Sequence, residues 1–252
     1  MKMGAKEGFF SSIMKDIIEV LGAILAIIIL SKIFLGQRML VPLVVVTSCS
    51  MYHPNDILGV GCSSTFDSDS WKEWLLARNI SEDKIRTFPF QSGFSKGDMI
   101  LTITPDGTDT LIKYFPDTQV GDVIIYERDR KHFGGGPIIH RVVGIVHVRN
   151  WSIASIEGTL DCFSEKDFQE KFIPIIKKCQ ESSIFEKDLC PYFDYPTTPD
   201  FEFFITKGDN NPSSDQCSPT PIALPVTNKQ LLARGFLRIP YLGWIKLKII
   251  PI

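Results

Sequence analysis

Ile138-Ile139-His140-Arg141-Val142-Val143-Gly144-Ile145-Val146 is apolar almost throughout. A β-branched run without polar alternation reads as a strand covered on both faces, and so as a central strand of its sheet. Two similar strand starts precede it, Lys96-Gly97-Asp98-Met99-Ile100-Leu101-Thr102-Ile103 and Val120-Gly121-Asp122-Val123-Ile124-Ile125-Tyr126. In each, Gly-Asp makes the turn and a strand-forming run follows. Phe201-Glu202-Phe203-Phe204-Ile205-Thr206 returns to strand-like alternation, and 235–245 reads as a strand followed by a turn. The fold class expected is mostly β. Gly134-Gly135-Gly136-Pro137 leads into the central strand as a flexible loop; with no Gly-Lys-Ser/Thr and no helix after it, it is not a phosphate loop.

Upstream, Val44-Val45-Val46-Thr47-Ser48-Cys49-Ser50-Met51-Tyr52-His53-Pro54 drives an apolar run into a hydroxyl cluster closed by Met and Pro. A strand that ends this abruptly presents Ser50 at its tip. Two stretches interrupt the β pattern. Residues 56–96 contain Trp71-Lys72-Glu73-Trp74-Leu75-Leu76 at helical spacing and are expected as a short helical insertion on the surface, with a substrate lid or plain packing as the alternative roles. Residues 151–199 mix a charged helical part, 165–180, with a Pro- and Tyr-containing tail, and look like a second insertion.

The chain has 252 residues and a formal net charge of −2, which suits one full-cored domain with something appended and gives no electrostatic footprint for nucleic acid. Histidines 53, 132, 140 and 147 are too scattered for a metal cluster, and no cofactor motif is present. Cysteines fall at 49, 62, 162, 179, 190 and 217 with no C-x-x-C pair. Disulfides among the last four, or unpaired buried thiols, both fit.

Val20-Leu21-Gly22-Ala23-Ile24-Leu25-Ala26-Ile27-Ile28-Ile29-Leu30-Ser31 carries no charge and is bracketed by Glu19 and Lys32. With Ile17, Ile18, Ile33, Phe34 and Leu35 it approaches the ~20 residues that cross a bilayer. No A-x-A-like cleavage site follows, so a retained transmembrane anchor over 17–35 is expected rather than a signal peptide. Lys2, Lys6 and Lys15 ahead of it, against Lys32 and Arg38 behind, bias 1–16 to the cytoplasm and 36–252 to the outside.

A serine hydroxyl needs a base to act as a nucleophile at neutral pH, and the base needs an orienting group. His140 is the best base, because a polar ring inside an apolar strand is costly unless partnered. Asp209 or Asp215, in the turn Lys207-Gly208-Asp209-Asn210-Asn211-Pro212-Ser213-Ser214-Asp215, supplies the third member or merely caps that turn.

Ser48-Cys49-Ser50-Met51 with a nearby Pro, then Gly-Asp-Val-Ile-Ile, Ile-Ile-His-Arg-Val-Val, Thr-Lys-Gly-Asp-Asn-Asn-x-x-x-Asp and Ile-Pro-Tyr-Leu-Gly occur in that order over 44–245. The ordered set resembles the type I signal peptidases, in their archaeal and endoplasmic-reticulum branch, because His140 stands where the bacterial branch has lysine. The resemblance implies a signal-peptidase-like β catalytic domain with helical insertions behind one N-terminal transmembrane helix. It implies Ser50 as nucleophile, His140 as general base and Asp215 as orienting acid. Asp209 matches the other acid of that block. Ser48 matches the serine whose hydroxyl, with the backbone N–H of Ser50, binds the oxyanion. The implied substrates are secretory preproteins cut after small residues, with Met51 and its apolar neighbours lining the pocket. The implied partners are the lipid bilayer and the translocation machinery.

Three departures stand out. Cys49 replaces the usual Gly, with a thiol more reactive than a hydroxyl if ionised. His53 is one residue extra between Met51 and Pro54, and the 56–96 insertion is long. Two other functions remain open on sequence: an inactive membrane-tethered β-domain that binds peptides or partner subunits, and a Ser/Lys protease with Lys207 as base.

Overall fold

The computed structural model describes residues 4–35, 41–54, 62–63, 70–106, 116–182, 189–217 and 219–249. Eight antiparallel strands curl into a half-barrel with short helices around it. The strands are β1 (Leu43–Val45), β2 (Met99–Ile103), β3 (Val123–Tyr126), β4 (Ile138–Arg149), β5 (Ser152–Gly158), β6 (Phe201–Lys207), β7 (Val226–Thr227) and β8 (Leu231–Ile239). Their order is β1-β2-β8-β3-β4-β6-β7, with β5 also on β4.

The expected central strand is β4. Its first residues pair with β3, its later half with β5, and most of its length with β6. Both Gly-Asp turns form, with Gly97 at φ 90° and Gly121 at φ 105°, in the left-handed region where a side chain would be strained. The second turn is laid on β4 by reciprocal bonds, Gly121 N–H to Val142 O and Val142 N–H to Asp122 O, both 2.8 Å.

Side-chain alternation divides the core. Ile124 and Tyr126 enter a larger cluster with Ile138 and Val142, while Val123 and Ile125 enter a smaller one with Val46, Met51, Phe94 and Ile100. Here the structure departs from expectation. Within 56–96 the described helices serve as packing and do not sit on the surface: α2 (Ser70–Leu76) and α3 (Glu82–Arg86) bury Trp71, Leu75 and Ile85 in the larger cluster. Burying side chains of this size stabilises by roughly 1.5–3 kcal/mol each, which makes these helices part of the core. Positions 55–61 and 64–69 of that stretch lie outside the described residues.

In the second insertion, α4 (Glu165–Asp167) runs through a π turn (Phe168–Phe172) into α5 (Ile173–Glu181), and Phe168, Phe172, Ile173 and Ile176 join the same core. Ser152–Gly158 is a strand where the insertion was expected to begin. At the C-terminal end, β8 starts at Leu231 rather than Gly235, and α6 (Gly243–Ile249) stands where a turn was expected.

The N-terminal segment is a helix, α1 (Gly4–Leu35). Among the described residues, no helix is long and apolar enough to cross a membrane. In α1 the uncharged run, 20–31, gives about 18 Å of helix against the ~30 Å of a hydrocarbon core, with Lys15, Asp16 and Glu19 before it and Lys32 after it. Its large apolar side chains are nevertheless exposed, Val20, Leu21 and Leu25 among them. The end of the helix is tied to the sheet, Thr104 N–H donating to Leu35 O at 2.8 Å.

Candidate active site

The Ser50 loop leaves the sheet where β1 stops. Val46 N–H still bonds Asp98 O, and the chain then turns through Ser48, Cys49 and Ser50, closed by Tyr52 N–H to Cys49 O at 3.1 Å. Met51 locks the turn from below: it is fully buried with Val46, Phe94 and Ile100, and its carbonyl accepts Phe94 N–H. The expectation that Met51 lines a substrate pocket is therefore corrected, since a side chain with no exposed surface anchors its loop. The cleft over Ser50, about 300 Å³, is lined instead by residues such as Val44, Val45, Ile138, Ile139 and Ile222, with Ser48, Ser50 and His140 on its polar side.

Four strand ends bring the polar groups together. His140 Nε2 lies 2.8 Å from Ser50 Oγ. On the far side of the ring, Nδ1 lies 2.8 and 2.7 Å from the two Asp215 oxygens. A carboxylate only accepts, so Nδ1 carries the proton and Nε2 is left to accept from the Ser50 hydroxyl. Asp215 is held in turn: Tyr126 OH donates to its Oδ2 at 2.7 Å and Thr206 Oγ1 at 2.6 Å. Burial, and then the Asp215 charge, push the Tyr126 phenol well above its ordinary pKa, so it stays a donor. Ser48 Oγ stands 3.1 Å from Ser50 Oγ on the open side.

Asp209 does not reach His140. Its Oδ1 takes Arg141 Nε at 2.9 Å, and its Oδ2 takes Arg141 Nη2 at 2.7 Å and faces His53 Nε2 at 2.9 Å. Burial alone would raise its carboxyl, but Arg141, with help from His53, holds it well below the usual carboxylate range. Arg141 is fully buried and donates further to Pro89 O and Gly121 O, so this pair fastens β4, the 56–96 stretch and the 208–215 turn to one another. The extra residue His53 sits inside that network, bonded also to Gln91 O and stacked on Trp71.

The acid turn then grips the serine loop. Asn210 N–H donates to Ser50 O at 2.8 Å and Asn210 Nδ2 to Cys49 O at 3.1 Å. At Gly208 a Cβ would come 2.8 Å from Ser50 O and 2.6 Å from Asn211 Nδ2, so only glycine allows this approach.

Cys49 offers no thiol. It is disulfide-bonded to Cys62, and Cys162–Cys217 and Cys179–Cys190 complete the pairing of all six cysteines. Lys207 is not paired with Ser50: its ammonium donates to Gly208 O and Asp209 O and lies 4.9 Å over the Trp74 ring. Burial lowers its pKa to about 8. Among the described residues no group of three His, Cys, Asp or Glu side chains is arranged for a metal ion.

Tyr126, Thr206, Arg141 and Asn210 are the supporting residues that sequence reasoning passed over. Arg141 and Thr206 did leave a signal, because a polar side chain within a buried apolar strand must have a partner. No protein-family model matches the chain, and no curated protein matches it either.

Proposed function

We propose that this chain is a membrane-anchored serine endopeptidase that removes signal peptides from secretory preproteins after small residues. The observation that carries the proposal is the continuous Ser50–His140–Asp215 relay, in which each contact is 2.7–2.8 Å. Nucleophile, base and orienting acid stand in the order that activates a hydroxyl at neutral pH.

His140 Nε2 takes the Ser50 proton as Oγ attacks the scissile carbonyl, and returns it to the leaving amine when the C–N bond breaks. Water, deprotonated by the same nitrogen, then hydrolyses the acyl-enzyme. Asp215 holds the ring and stabilises the imidazolium. Ser48 Oγ and the Ser50 backbone N–H receive the oxyanion, each such donor being worth about 2.7–4 kcal/mol of transition-state stabilisation.

The substrate lies extended along β1, which pairs only with β2 among the described residues and contributes Val44 and Val45 to the cleft. Main-chain pairing of this kind gives affinity and leaves selection to the shallow cleft. The exposed apolar surface of α1 supports its role as the anchor. So do the exposed apolar residues Val41, Phe236 and Leu237, the first just ahead of β1 and the other two on β8, whose Leu237 pairs with Leu101 of β2. Three disulfides support an oxidising compartment for the catalytic part.

Incubation of the full-length protein in detergent with a preprotein tests the proposal. Cleavage is expected from the wild type and not from Ser50→Ala or His140→Ala. Undiminished cleavage by either variant refutes the mechanism.

A further inference from the structure

Arg128 lies two residues beyond the end of β3, whose last residue, Tyr126, supports Asp215. Its side chain lines the cleft that holds Ser50 and His140. The Nε atom is buried with no acceptor, and no hydrogen bond or ion pair holds the guanidinium among the described residues. Natural proteins rarely leave a buried donor unmatched, and here the buried Nε belongs to a residue that is otherwise half-buried. The acid next in sequence does not compensate it. Asp129 Oδ1 accepts from Lys131 and His132 N–H, and its Oδ2 from Leu224 N–H.

The surroundings keep the guanidinium open to a ligand. The 134–137 loop runs beside it, and Gly135, at φ 87°, has no side chain to cover it; a Cβ there would lie 3.6 Å from Arg128 Nη2. Of the described residues that line the cleft, Arg128 is the one with a permanent charge, and none is an acid. Glu127, on the other side of Arg128 in sequence, lines the adjoining cavity with it but makes no ion pair with it and does not line the Ser50 cleft, so within that cleft Arg128 presents the one positive charge.

We propose that Arg128 makes the enzyme select peptides carrying an Asp or Glu side chain close to the scissile bond, the guanidinium pairing with that carboxylate. This rests on the endopeptidase function proposed above and adds a chemical class to its substrates. Guanidinium and carboxylate match as fork to fork, and a charge-assisted pair outweighs a neutral carbonyl at the same place. Arg128 contacts the substrate but takes no part in proton transfer, so it governs choice rather than chemistry.

The test uses the full-length protein in detergent and a set of peptides alike except for Asp, Asn or Lys placed in turn at each position flanking a small residue. Read as kcat/KM, Asp is expected to exceed Asn about tenfold at one position, a discrimination typical of a charged hydrogen bond. The preference shrinks as salt rises. It disappears in Arg128→Gln and turns toward Lys in Arg128→Glu. The ratio between peptides is taken within each variant, and thermal midpoints check that the variants fold, so a general loss of activity does not mimic the result. Equal cleavage of Asp and Asn peptides at every position overturns the role of Arg128 and leaves the endopeptidase standing. Cleavage of all peptides equally by wild type and Ser50→Ala overturns the endopeptidase, and the inference with it.

Discussion

Asp215→Asn is the most informative substitution in this site, because the structure fixes what the amide must do. Oδ2 of Asp215 accepts from Tyr126 and Thr206 and lies 2.7 Å from His140 Nδ1, while Oδ1 lies 2.8 Å from the same nitrogen. An asparagine has one acceptor oxygen and one NH2 donor. Two hydroxyls hold the Oδ2 place for the oxygen, so the NH2 is turned toward His140 Nδ1. A proton on Nδ1 would face an N–H at 2.8 Å, so the ring is expected to shift its proton to Nε2, where it points at Ser50 Oγ. The hydroxyl loses its base while every atom stays in place. The wrong tautomer of a triad histidine costs about 10⁴ in kcat, equivalent to about 5.5 kcal/mol of barrier. The expected result is that loss in kcat, with KM for a preprotein little changed and the thermal midpoint within a few degrees of wild type. Asp215→Ala, by contrast, strands the Tyr126 and Thr206 hydroxyls in the core and lowers the midpoint as well. Retention by Asp215→Asn of more than a tenth of wild-type kcat would refute the assignment of Asp215 as the group that sets the His140 tautomer.

Asp209→Asn acts on stability rather than chemistry. It leaves the fully buried Arg141 without its counter-charge, and urea unfolding at pH 7 is expected to show a loss of about 3–5 kcal/mol. Because the folded-state pKa of Asp209 is depressed, its contribution is complete above about pH 4 and is lost as pH falls toward the folded value, so the variant's acid unfolding curve loses that part of its slope. Gly208→Ala pushes a methyl group against Ser50 O and Asn211, and a shift of that order in the nucleophile is expected to lower kcat/KM about 100-fold. Removing the bridge on the serine loop with Cys49→Ala and Cys62→Ala, 13 positions apart, opens a short loop and should lower stability in urea by about 3 kcal/mol. An unchanged unfolding midpoint in that double variant would show that the bridge does not constrain the chain.

The parts of the fold legible in sequence were those where one local rule dominates. The 138–146 run is so apolar that only a covered strand suits it, and the Gly-Asp turns announce β2 and β3. β5 was not legible, because Ser152-Ile153-Ala154-Ser155-Ile156-Glu157-Gly158 is mostly exposed and gets its strand form from pairing with β4. The helical spacing around Trp71 was visible, but its burial depends on a sheet assembled from distant segments. Six cysteines admit 15 pairings, and spacing does not choose among them. For the site, the costly polar residue in an apolar strand marked His140, and the same reasoning extended one position would have marked Arg141. Nothing local separates Asp209 from Asp215: both sit in one dense turn, and only the side chains arriving from β3, β4 and β6 assign them.

That assignment has a physical logic. Two carboxylates six positions apart in one buried turn would compete for protons if both faced the same imidazole. The chain prevents this by consecutive residues of β4. His140 meets Asp215, while its neighbour Arg141 engages Asp209 through two nitrogens and cancels its charge locally. Asp209 is then free to act through its backbone, where the turn it stabilises carries Asn210 onto Ser50 O. In the proposed mechanism one acid thus orients the base and the other positions the nucleophile loop, and the adjacency of His140 and Arg141 keeps the two contacts in register. Arg141→Lys tests this division. A lysine keeps the charge but not the fork, so it is expected to loosen the Asp209 turn and misplace Ser50, while the pairing of His140 with Asp215 survives. The readout is the His140 Nδ1 proton resonance, which should persist at low field in Arg141→Lys as kcat falls, and should vanish in Asp215→Asn. Loss of that resonance in both variants would mean that the two acids form one unit rather than two.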